Sequence, residues 1–251
     1  MSIIFKNAEI AKNNFVILSD IDLIIEPEIN LVILGDSGSG KSTFLDVISG
    51  NIFPSKGKIE KDKSKKIISV GRDYSFHRLV GPVYQYYQQR FNSQDAELGP
   101  TVYEILQNQV IPVGTINEKS VEHNPPQYSE EWLEKIVKKL HLSHLLYQKI
   151  TSLSNGETRR TLIANALLKK PDVLLLDNPF TGLDVASRSE LKTLLSELSD
   201  TQIILVANFK DIPANFEKVL QLEVGKVSYH GKLSNFIPKA RIPYQVSEGL
   251  L

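Results

Sequence analysis

The stretch GDSGSGKST, from Gly35 to Thr43, constrains the fold of this chain more than any other feature. It fits the pattern G-x-x-x-x-G-K-[ST], directly follows the apolar run LVIL and directly precedes a run with helical spacing. Glycines in such a loop let backbone N–H groups turn toward phosphate oxygens, and the positive end of the helix adds to the attraction. The sequence therefore predicts a strand, a phosphate-binding loop and a helix that together hold a nucleoside triphosphate.

Individual residues of this region have separate expected roles. Lys41 is expected to reach the β- and γ-phosphates, and the hydroxyl of Ser42 is expected to coordinate Mg²⁺. A later apolar run, VLLLD, ends at Asp177, which is the natural second partner of the metal ion, through water. We therefore predict that the nucleotide is bound by a continuous set of residues: Gly35, Asp36, Ser37, Gly38, Ser39, Gly40, Lys41, Ser42 and Thr43.

The composition argues against several functional classes. The 251 residues include 29 basic and 29 acidic side chains, so the formal charge is zero and a nucleic-acid partner is not expected. The chain has no cysteine, which removes disulfide and thiol chemistry and fits a reducing cytoplasm. No apolar run approaches the ~20 residues of a membrane span, and the first residues lack the apolar core of a signal peptide. We therefore expect a cytoplasmic protein.

The first part of the chain alternates strands and helices, as in an α/β fold. We expect strands at 15–18, 21–25 and 31–35, and then a helix that ends at Gly50. The lysine-rich segment 56–66 is expected to be a solvated hairpin tip that leads into the strand KIISVG. This order predicts that the phosphate loop lies within a sheet that packs against helices.

The second part continues the alternation after a less regular region. We expect 83–91 to be a strand edge that enters a functional loop, and 108–129 to be a long loop or insertion. Ser129 is expected to cap a helix, and an amphipathic helix follows that ends before Pro171. The runs VLLLD and QIILVAN are apolar enough to be buried parallel strands, and a final hairpin turns at Gly225.

The segment LSNGE, which begins at Leu153, predicts a second helix terminus suited to an anion. Ser154 and Glu157 have the spacing of a capping box ahead of an apolar run, and Gly156 lies between them. Because the chain already has one phosphate loop, this terminus suggests a nucleotide held by another subunit. On spacing alone, a simple helix cap explains the segment equally well.

The phosphate loop, LSNGE, LLLD and TGLD follow one another in an order that resembles the nucleotide-binding domain of ATP-binding cassette (ABC) ATPases. The resemblance covers almost the whole chain. It implies a P-loop NTPase fold with a RecA-like, mainly parallel core sheet, an N-terminal antiparallel β subdomain and a helical subdomain. It also implies a single domain over residues 1–251, with the core at 1–88 and 158–251 and the helical subdomain at 89–157. The stretch 153–188 looks most like the molybdate-transport/photorepair branch.

The same resemblance implies a head-to-tail dimer with a second ABC ATPase subunit, identical or different. Two ATP molecules with Mg²⁺ would lie between the phosphate loop of one subunit and the signature segment of the other. Ser154, Asn155, Gly156 and Glu157 form that signature and would contact the γ-phosphate bound by the partner. Asp184 would end the loop at the dimer seam.

Several positions depart from the pattern of the family. The glutamate that usually follows the strand-end aspartate and orients the attacking water is Asn178, and the usual switch histidine is Asn208. A glutamine that senses Mg²⁺ and water maps to Gln88 or Gln89, and we favour Gln88. The aromatic that stacks on adenine in the family is not evident from the sequence, and Phe15 is a candidate for it. Because asparagine cannot accept a proton from water, we predict a site that binds ATP well and hydrolyses it poorly.

Three functions are compatible with these features. The first is an energy-coupling subunit of a transport system, held at the inner face of a membrane by permease subunits. The second is a soluble ATP-dependent switch whose output is dimerisation, which the two asparagines favour. The third, a DNA-repair ATPase, needs a long coiled coil between the two nucleotide motifs, and the spacing from Lys41 to Asp177 leaves no room for one.

Overall fold

The computed structural model describes residues 2–71, 100–107 and 128–238. The strands are β1 (Ile3–Lys12), β2 (Phe15–Ile25), β3 (Leu31–Leu34), β4 (Lys56–Glu60), β5 (Ile67–Val70), β6 (Val173–Asp177), β7 (Gln202–Val206), β8 (Lys218–Glu223) and β9 (Lys226–Lys232). The α-helices are α1 (Lys41–Ser49), α2 (Val102–Leu106), α3 (Glu130–Lys139), α4 (Asn155–Leu168) and α5 (Val185–Ser196). Within these three ranges no helix combines the length and the apolar character needed to cross a bilayer.

Two sheets organise the described residues. The larger sheet has the order β5-β6-β7-β3-β8-β9, in which every neighbouring pair is parallel except β8 and β9. The smaller sheet, β2-β1-β4, is antiparallel. The predicted α/β fold, with a mainly parallel core sheet and an N-terminal antiparallel sheet, is therefore confirmed. The final hairpin, β8 to β9, turns at Gly225 as expected.

The chain opens with one long hairpin, although the sequence predicted only fragments of it. Strand β1 was not predicted, and the two strands expected at 15–18 and 21–25 are the single strand β2. Asp20, with φ 55°, lies where the pairing of β1 and β2 shifts by one residue, so the break is a bulge and not the end of a strand. Asn13 and Asn14 both have positive φ and form the two-residue turn.

The lysine-rich segment 56–66 is a hairpin tip only in part. Its first five residues are strand β4, which pairs with β1 at the edge of the smaller sheet. Two ion pairs join β4 to β1: Lys56 Nζ lies 3.1 Å from Glu9 Oε1, and Lys6 Nζ lies 2.9 Å from Glu60 Oε2. These cross-strand ion pairs favour a strand at Lys56–Glu60, where the lysine content alone suggested a solvated hairpin tip.

The core lies on both faces of the larger sheet, because successive residues of a strand point to opposite sides. Leu174 of β6 belongs to the apolar cluster that the sheet forms with the helices. Val173 and Leu175 belong to the second cluster, which lies under the smaller sheet and α1. In that second cluster the rings of Phe5 and Phe44 stack at 4.9 Å between centroids. The strands that carry the site are thus buried on both faces, as predicted.

Helix α4 differs from the amphipathic helix that the sequence predicted. Every residue from Arg160 to Leu168 is buried, so the helix has no continuous polar face. It packs against α2, α3 and α5. Its two ends agree with expectation, since Ser154 caps the start and Pro171 follows the end. Helix α3 is likewise capped as predicted, because Ser129 Oγ accepts a hydrogen bond from the backbone N–H of Trp132 at 3.3 Å.

Candidate nucleotide-binding site

Three neighbouring parallel strands end at one edge of the larger sheet and bring the predicted residues together. Ile33 of β3 and Asp177 of β6 both pair with Val206 of β7, so the three strands end at the same level. The phosphate loop follows β3, Asn178 follows β6, and Asn208 lies two residues after β7. Open parallel sheets bind their ligands at this carboxyl edge.

Two glycines of the phosphate loop occupy positions that a side chain could not fill. Gly35 has φ 146°, and a Cβ there would lie 2.4 Å from the carbonyl oxygen of Leu222. Gly40 has φ 97° and precedes α1, and a Cβ there would lie 2.5 Å from Cδ2 of Leu18. Because glycine alone tolerates positive φ together with such close approach, these residues fix the path of the loop into the helix.

Lys41 begins α1 and turns its ammonium back onto the loop. Its Nζ donates to the carbonyl oxygens of Gly35, at 2.8 Å, and Asp36, at 2.6 Å. The Ser39 side chain is buried, and its hydroxyl has no hydrogen-bond partner within the described ranges. An ammonium, a buried hydroxyl and the start of a helix all favour an anion, so this loop fits a triphosphate.

The other predicted residues of the loop differ in exposure. Asp36, Ser37 and Gly38 are exposed. Ser42 and Thr43 are half-buried in the first turn of α1. The hydroxyl of Ser42 is thus carried on the helix that begins at the phosphate loop, as a ligand of a phosphate-bound metal ion must be.

Asp177 and Asn178 form a hydrogen-bonded pair at the end of β6. Asp177 is only 6% exposed, and its Oδ1 accepts a hydrogen bond from Asn178 Nδ2 at 2.8 Å. The backbone N–H of Asn178 donates to the carbonyl of Val206 at 2.9 Å. Asn178 has φ 52°, a left-handed conformation that asparagine tolerates better than most residues. The amide therefore holds the carboxylate and has no proton-accepting group of its own to offer.

Asn208 is exposed at the third strand end and caps a short 3₁₀ turn, Phe209–Asp211. Its Nδ2 lies 3.5 Å from Oδ2 of Asp211, and Oδ1 of the same carboxylate lies 3.5 Å from a guanidinium nitrogen of Arg188. Asp211 is 3% exposed, so this ion pair fixes the turn to α5. No local sequence pattern predicts this ion pair, because its two charged residues are far apart along the chain.

The acidic groups of the site fit Mg²⁺ only if phosphate groups of a nucleotide supply further ligands to the metal ion. Among the described residues, no three Asp, Glu or His side chains cluster in a way that could hold a metal ion alone. Mg²⁺ is ordinarily bound through one or two carboxylates together with substrate phosphates and water. Asp177 and the Ser42 hydroxyl are donors of that kind, so the residues present fit a nucleotide-bound magnesium ion.

The segment around Ser154 forms a complete capping box at the start of α4. The Ser154 N–H donates to Glu157 Oε2 at 2.8 Å, and the Glu157 N–H donates to Ser154 Oγ at 3.3 Å. A Cβ on Gly156 would lie 3.0 Å from Oγ of Ser187, so the glycine lets α5 approach the helix start closely. Ser154 and Asn155 are exposed, which leaves this terminus open to a partner.

Asp184 caps α5 beside that terminus. Its Oδ1 accepts from the backbone N–H of Ser187 at 2.8 Å, and its Oδ2 accepts from the hydroxyl of the same residue at 2.9 Å. These two hydrogen bonds hold the pKa of Asp184 below its usual range. The sequence assigned Asp184 to a dimer seam and missed this cap, although the D-x-x-S spacing ahead of a helix was a signal for it.

Three predicted residues lie apart from this arrangement or beyond what the structure describes. Gln88 and Gln89, and with them the segment 83–91, lie outside the described residues. Phe15, the candidate for adenine stacking, begins β2 and is 77% exposed. Its exposure leaves the ring accessible, and its role stays a prediction.

Comparison with known proteins agrees with these features. Residues 18–181 match the ABC transporter family. An uncharacterized ABC transporter ATP-binding protein of Schizosaccharomyces pombe is 31% identical over 244 residues, which are 93% of this chain and 48% of that protein. The chain thus spans about half the length of this relative. The energy-coupling factor transporter ATP-binding protein EcfA2 of Streptococcus agalactiae is 32% identical over 225 residues, which are 86% of this chain and 74% of that protein.

Solved structures agree on the fold. MJ1267, an ATP-binding cassette of an ABC transporter, superposes with a TM-score of 0.68 at 21% identity, covering 92% of this chain and 90% of that one. The phosphate loop, the strand-end aspartate and the capped helix at Ser154 all lie on this shared fold, and the family match includes each of them. The chain belongs to the ABC transporter family of ATP-binding domains.

Proposed function

We propose that the chain is the ATP-binding subunit of an ABC-type system and binds Mg-ATP at the edge formed by β3, β6 and β7. The observation that carries this proposal is that the three strands end at the same level, which places the Lys41 loop and Asp177 on one sheet edge with β7 between them. A loop that offers an ammonium and backbone N–H groups attracts a polyanion, and a buried carboxylate on the same edge attracts a cation.

Each residue of the site has one task in this proposal. Lys41 exchanges the carbonyl oxygens of the loop for β- and γ-phosphate oxygens when the nucleotide binds. Ser42 would supply a hydroxyl ligand to the metal ion, and Asp177 would hold the metal ion through water. Mg²⁺, when bound, would supply charge neutralisation for the phosphates.

We infer that a second subunit completes the site from the start of α4. The first N–H groups of a helix lack intrahelical acceptors, and its positive end attracts an anion. Ser154 and Asn155 are exposed at that end, with Gly156 and Glu157 behind them. In a head-to-tail dimer this signature would contact the γ-phosphate bound by the partner, and Asp184 would lie at the seam.

Weak hydrolysis at the chain's own site is part of the proposal. Attack by water needs a group that takes or orients its proton, and such catalysis typically contributes 10²–10⁴-fold. Asn178 donates its amide to Asp177, and Asn208 is an amide as well. Gln88 or Gln89 would then be left to orient water without a base beside it.

Thermal unfolding with and without nucleotide tests the binding step. ATP with Mg²⁺ should raise the melting temperature, while AMP should raise it far less because it lacks the β- and γ-phosphates. A melting temperature that ATP leaves unchanged at millimolar concentration contradicts the proposal. Gel filtration of the ATP-bound protein, compared with the nucleotide-free protein, tests the dimer.

The output of the ATPase has two candidates. An energy-coupling subunit would be cytoplasmic and held at the membrane by permease subunits, near the helical region and the glutamine segment. A soluble switch would dimerise on ATP without membrane subunits, and the two amides at the hydrolytic positions support it. Affinity purification from membranes distinguishes them, since only the first brings permease subunits along.

Two finer assignments rest on sequence alone. Residues 1–251 form one domain, with the core at 1–88 and 158–251 and the helical subdomain at 89–157. The stretch 153–188 is nearest to the molybdate-transport/photorepair branch, which makes oxyanion transport the first substrate class to test if permease subunits are found.

A further inference from the structure

A second cavity lies at the opposite edge of the larger sheet from the phosphate loop. It has a volume of about 310 Å³ and is formed between α3, the C-terminal end of α4 and the turn after α5. Pro171, two residues before β6, and Thr201, one residue before β7, are in its wall. Because the nucleotide site is at the carboxyl ends of these strands and this cavity is at their amino ends, the two sites are distinct.

Lysines dominate the charge of this cavity. Lys135, Lys139 and Lys170 line it, and Asp200 is the acidic residue in its wall. The carboxylate of Asp200 lies 3.7 Å from Lys135 Nζ, and among the described residues it forms no ion pair with Lys139 or Lys170. Three cations against one anion give the cavity a positive potential, which attracts a negatively charged ligand.

The indole ring of Trp132 gives the cavity its apolar surface and a hydrogen-bond donor. The ammonium groups of Lys135 and Lys170 lie 5.1 and 5.3 Å from the ring centroid. The indole N–H is buried and has no acceptor within residues 2–71, 100–107 and 128–238. A buried donor without an acceptor is unfavourable, and a ligand oxygen that reached the indole N–H on binding would relieve this.

Lys170 is held over the ring by an unusual backbone conformation. It has φ 49° at the end of α4, a left-handed position that glycine ordinarily occupies. Its N–H still donates to the carbonyl of Leu167 at 2.9 Å, so the helix end is intact. The chain thus places a second cation beside the ring of Trp132, and the two cations together attract an anion more strongly than one would.

We propose that this cavity binds a small organic anion that combines an apolar body with a carboxylate or phosphate group. The apolar body packs on Trp132, Ile136 and Leu167, while the anionic group accepts from the lysines and from the indole N–H. The volume is at the lower end of the range of small-ligand pockets, so the ligand is of metabolite size.

Fluorescence gives a site-specific test because Trp132 is the only tryptophan of the chain. Three probes share one apolar body: 3-phenylpropionate, 3-phenylpropanol and 3-phenylpropylamine. The carboxylate should change the tryptophan emission saturably and bind at least about tenfold more tightly than the alcohol or the amine, since it alone gains charge-assisted hydrogen bonds. Equal affinity for the three probes, or no saturable change with the carboxylate, overturns the proposal.

Variants locate the binding. Lys135→Gln combined with Lys170→Gln should weaken binding of the carboxylate about tenfold. Lys138→Gln, on an exposed position of the same helix, should leave it unchanged. Lys41→Ala separates the cavity from the phosphate loop: probe binding persists in this variant if the proposal is right, and its loss would assign the probe to the nucleotide site. Circular dichroism confirms that each variant is folded, and calorimetry repeats the titration without fluorescence.

Discussion

The end of β3 and the ends of β6 and β7 lie side by side on one sheet edge, but their residues suit different steps of the proposed reaction: nucleotide binding at β3, and hydrolysis at β6 and β7. In the proposed function the loop after β3 binds the triphosphate, since Gly35 and Gly40 shape it and Lys41 supplies the cation. The end of β6 would keep Asp177 for the metal ion, but amides stand at Asn178 and Asn208, where hydrolysis would need other groups. Binding depends on backbone N–H groups and fixed charge, while hydrolysis depends on a proton acceptor, so a chain can keep the first and lose the second.

Removal of the Lys41 side chain should abolish ATP binding by the loop after β3, and this is the largest effect we expect. Lys41→Ala takes away the cation of the loop, so ATP should no longer stabilise the protein. A ligand at 100 times its Kd stabilises a protein by about 2.7 kcal/mol, and all of this should disappear. Differential scanning fluorimetry with Mg-ATP measures the change.

Lys63→Ala is the matched control, because Lys63 is an exposed lysine on the turn after β4, away from the loop. It should respond to ATP as the unaltered chain does. A Lys41→Ala variant that ATP still stabilises in full would show that the phosphates bind elsewhere.

A carboxylate in place of Asn178 at the end of β6 tests whether the missing proton acceptor limits hydrolysis. Asn178→Glu should raise single-turnover ATP hydrolysis about 10–100-fold, below the full value of a general base because Asn208 remains. The same substitution should cost about 1 kcal/mol of stability, because φ is 52° there and glutamate tolerates this conformation less well than asparagine.

Asn178→Gln matches glutamate in length and lacks its charge, so it should carry the stability cost without the gain in rate. If the two variants hydrolyse ATP equally fast, the missing carboxylate is not what limits the reaction. A rapid rate in the unaltered chain, ~1–10³ s⁻¹ as for ordinary enzymes, contradicts the comparison directly.

Mixed assemblies with a catalytically complete ABC partner would sharpen the comparison, because each site takes parts from two chains. Ser154→Arg should remove most of the ATPase activity, since bulk and charge enter at the γ-phosphate of the partner's competent site. Lys41→Ala should leave most of it, because only the slow site is emptied. Equal losses from the two substitutions, measured as steady-state phosphate release, exclude an asymmetric pair.

Local sequence signals predicted the strand, loop and helix around Lys41 better than they predicted the smaller sheet. The loop, its flanking strand and α1 are specified by adjacent residues, because glycines and a lysine at fixed spacing leave few alternatives. Strand β1 is different, since its ten residues IIFKNAEIAK mix charged and apolar side chains with an irregular period. Pairing with β2 and β4 holds β1 in the sheet, and packing against the second apolar cluster buries Ile3, Phe5 and Ile10.

A signal for that hairpin was nevertheless present. Asn13 and Asn14 are a two-residue asparagine turn between apolar runs, and both adopt the positive φ that such turns require. The burial of α4 could not be predicted in the same way, because it depends on α2, α3 and α5 surrounding the helix. Long-range packing also explains why Asp211 and Arg188, which fix the turn at Asn208, gave no signal.

The smallest expected effect concerns the cap that joins the signature end of α4 to α5. Asp184→Ala removes the acceptor of the Ser187 N–H and hydroxyl, so the melting temperature should fall by about 2–4 °C. Asp184→Asn keeps an acceptor oxygen and should lose less.

The stabilising effect of Asp184 also depends on pH. The folded state lowers the pKa of Asp184, so its contribution to stability is present above the ordinary value of 3.8 and is lost as pH falls through the lower folded value. Chemical denaturation measures the free energy of unfolding of the unaltered chain and of Asp184→Ala. The difference between the two should be constant from pH 5 to pH 8, because this range lies above the ordinary pKa of 3.8. It should shrink only below about pH 4. A difference that instead grows on acidification would mean that Asp184 is stabilised as the neutral acid, and the cap would then not be the ionised acceptor that holds α5 against the signature segment.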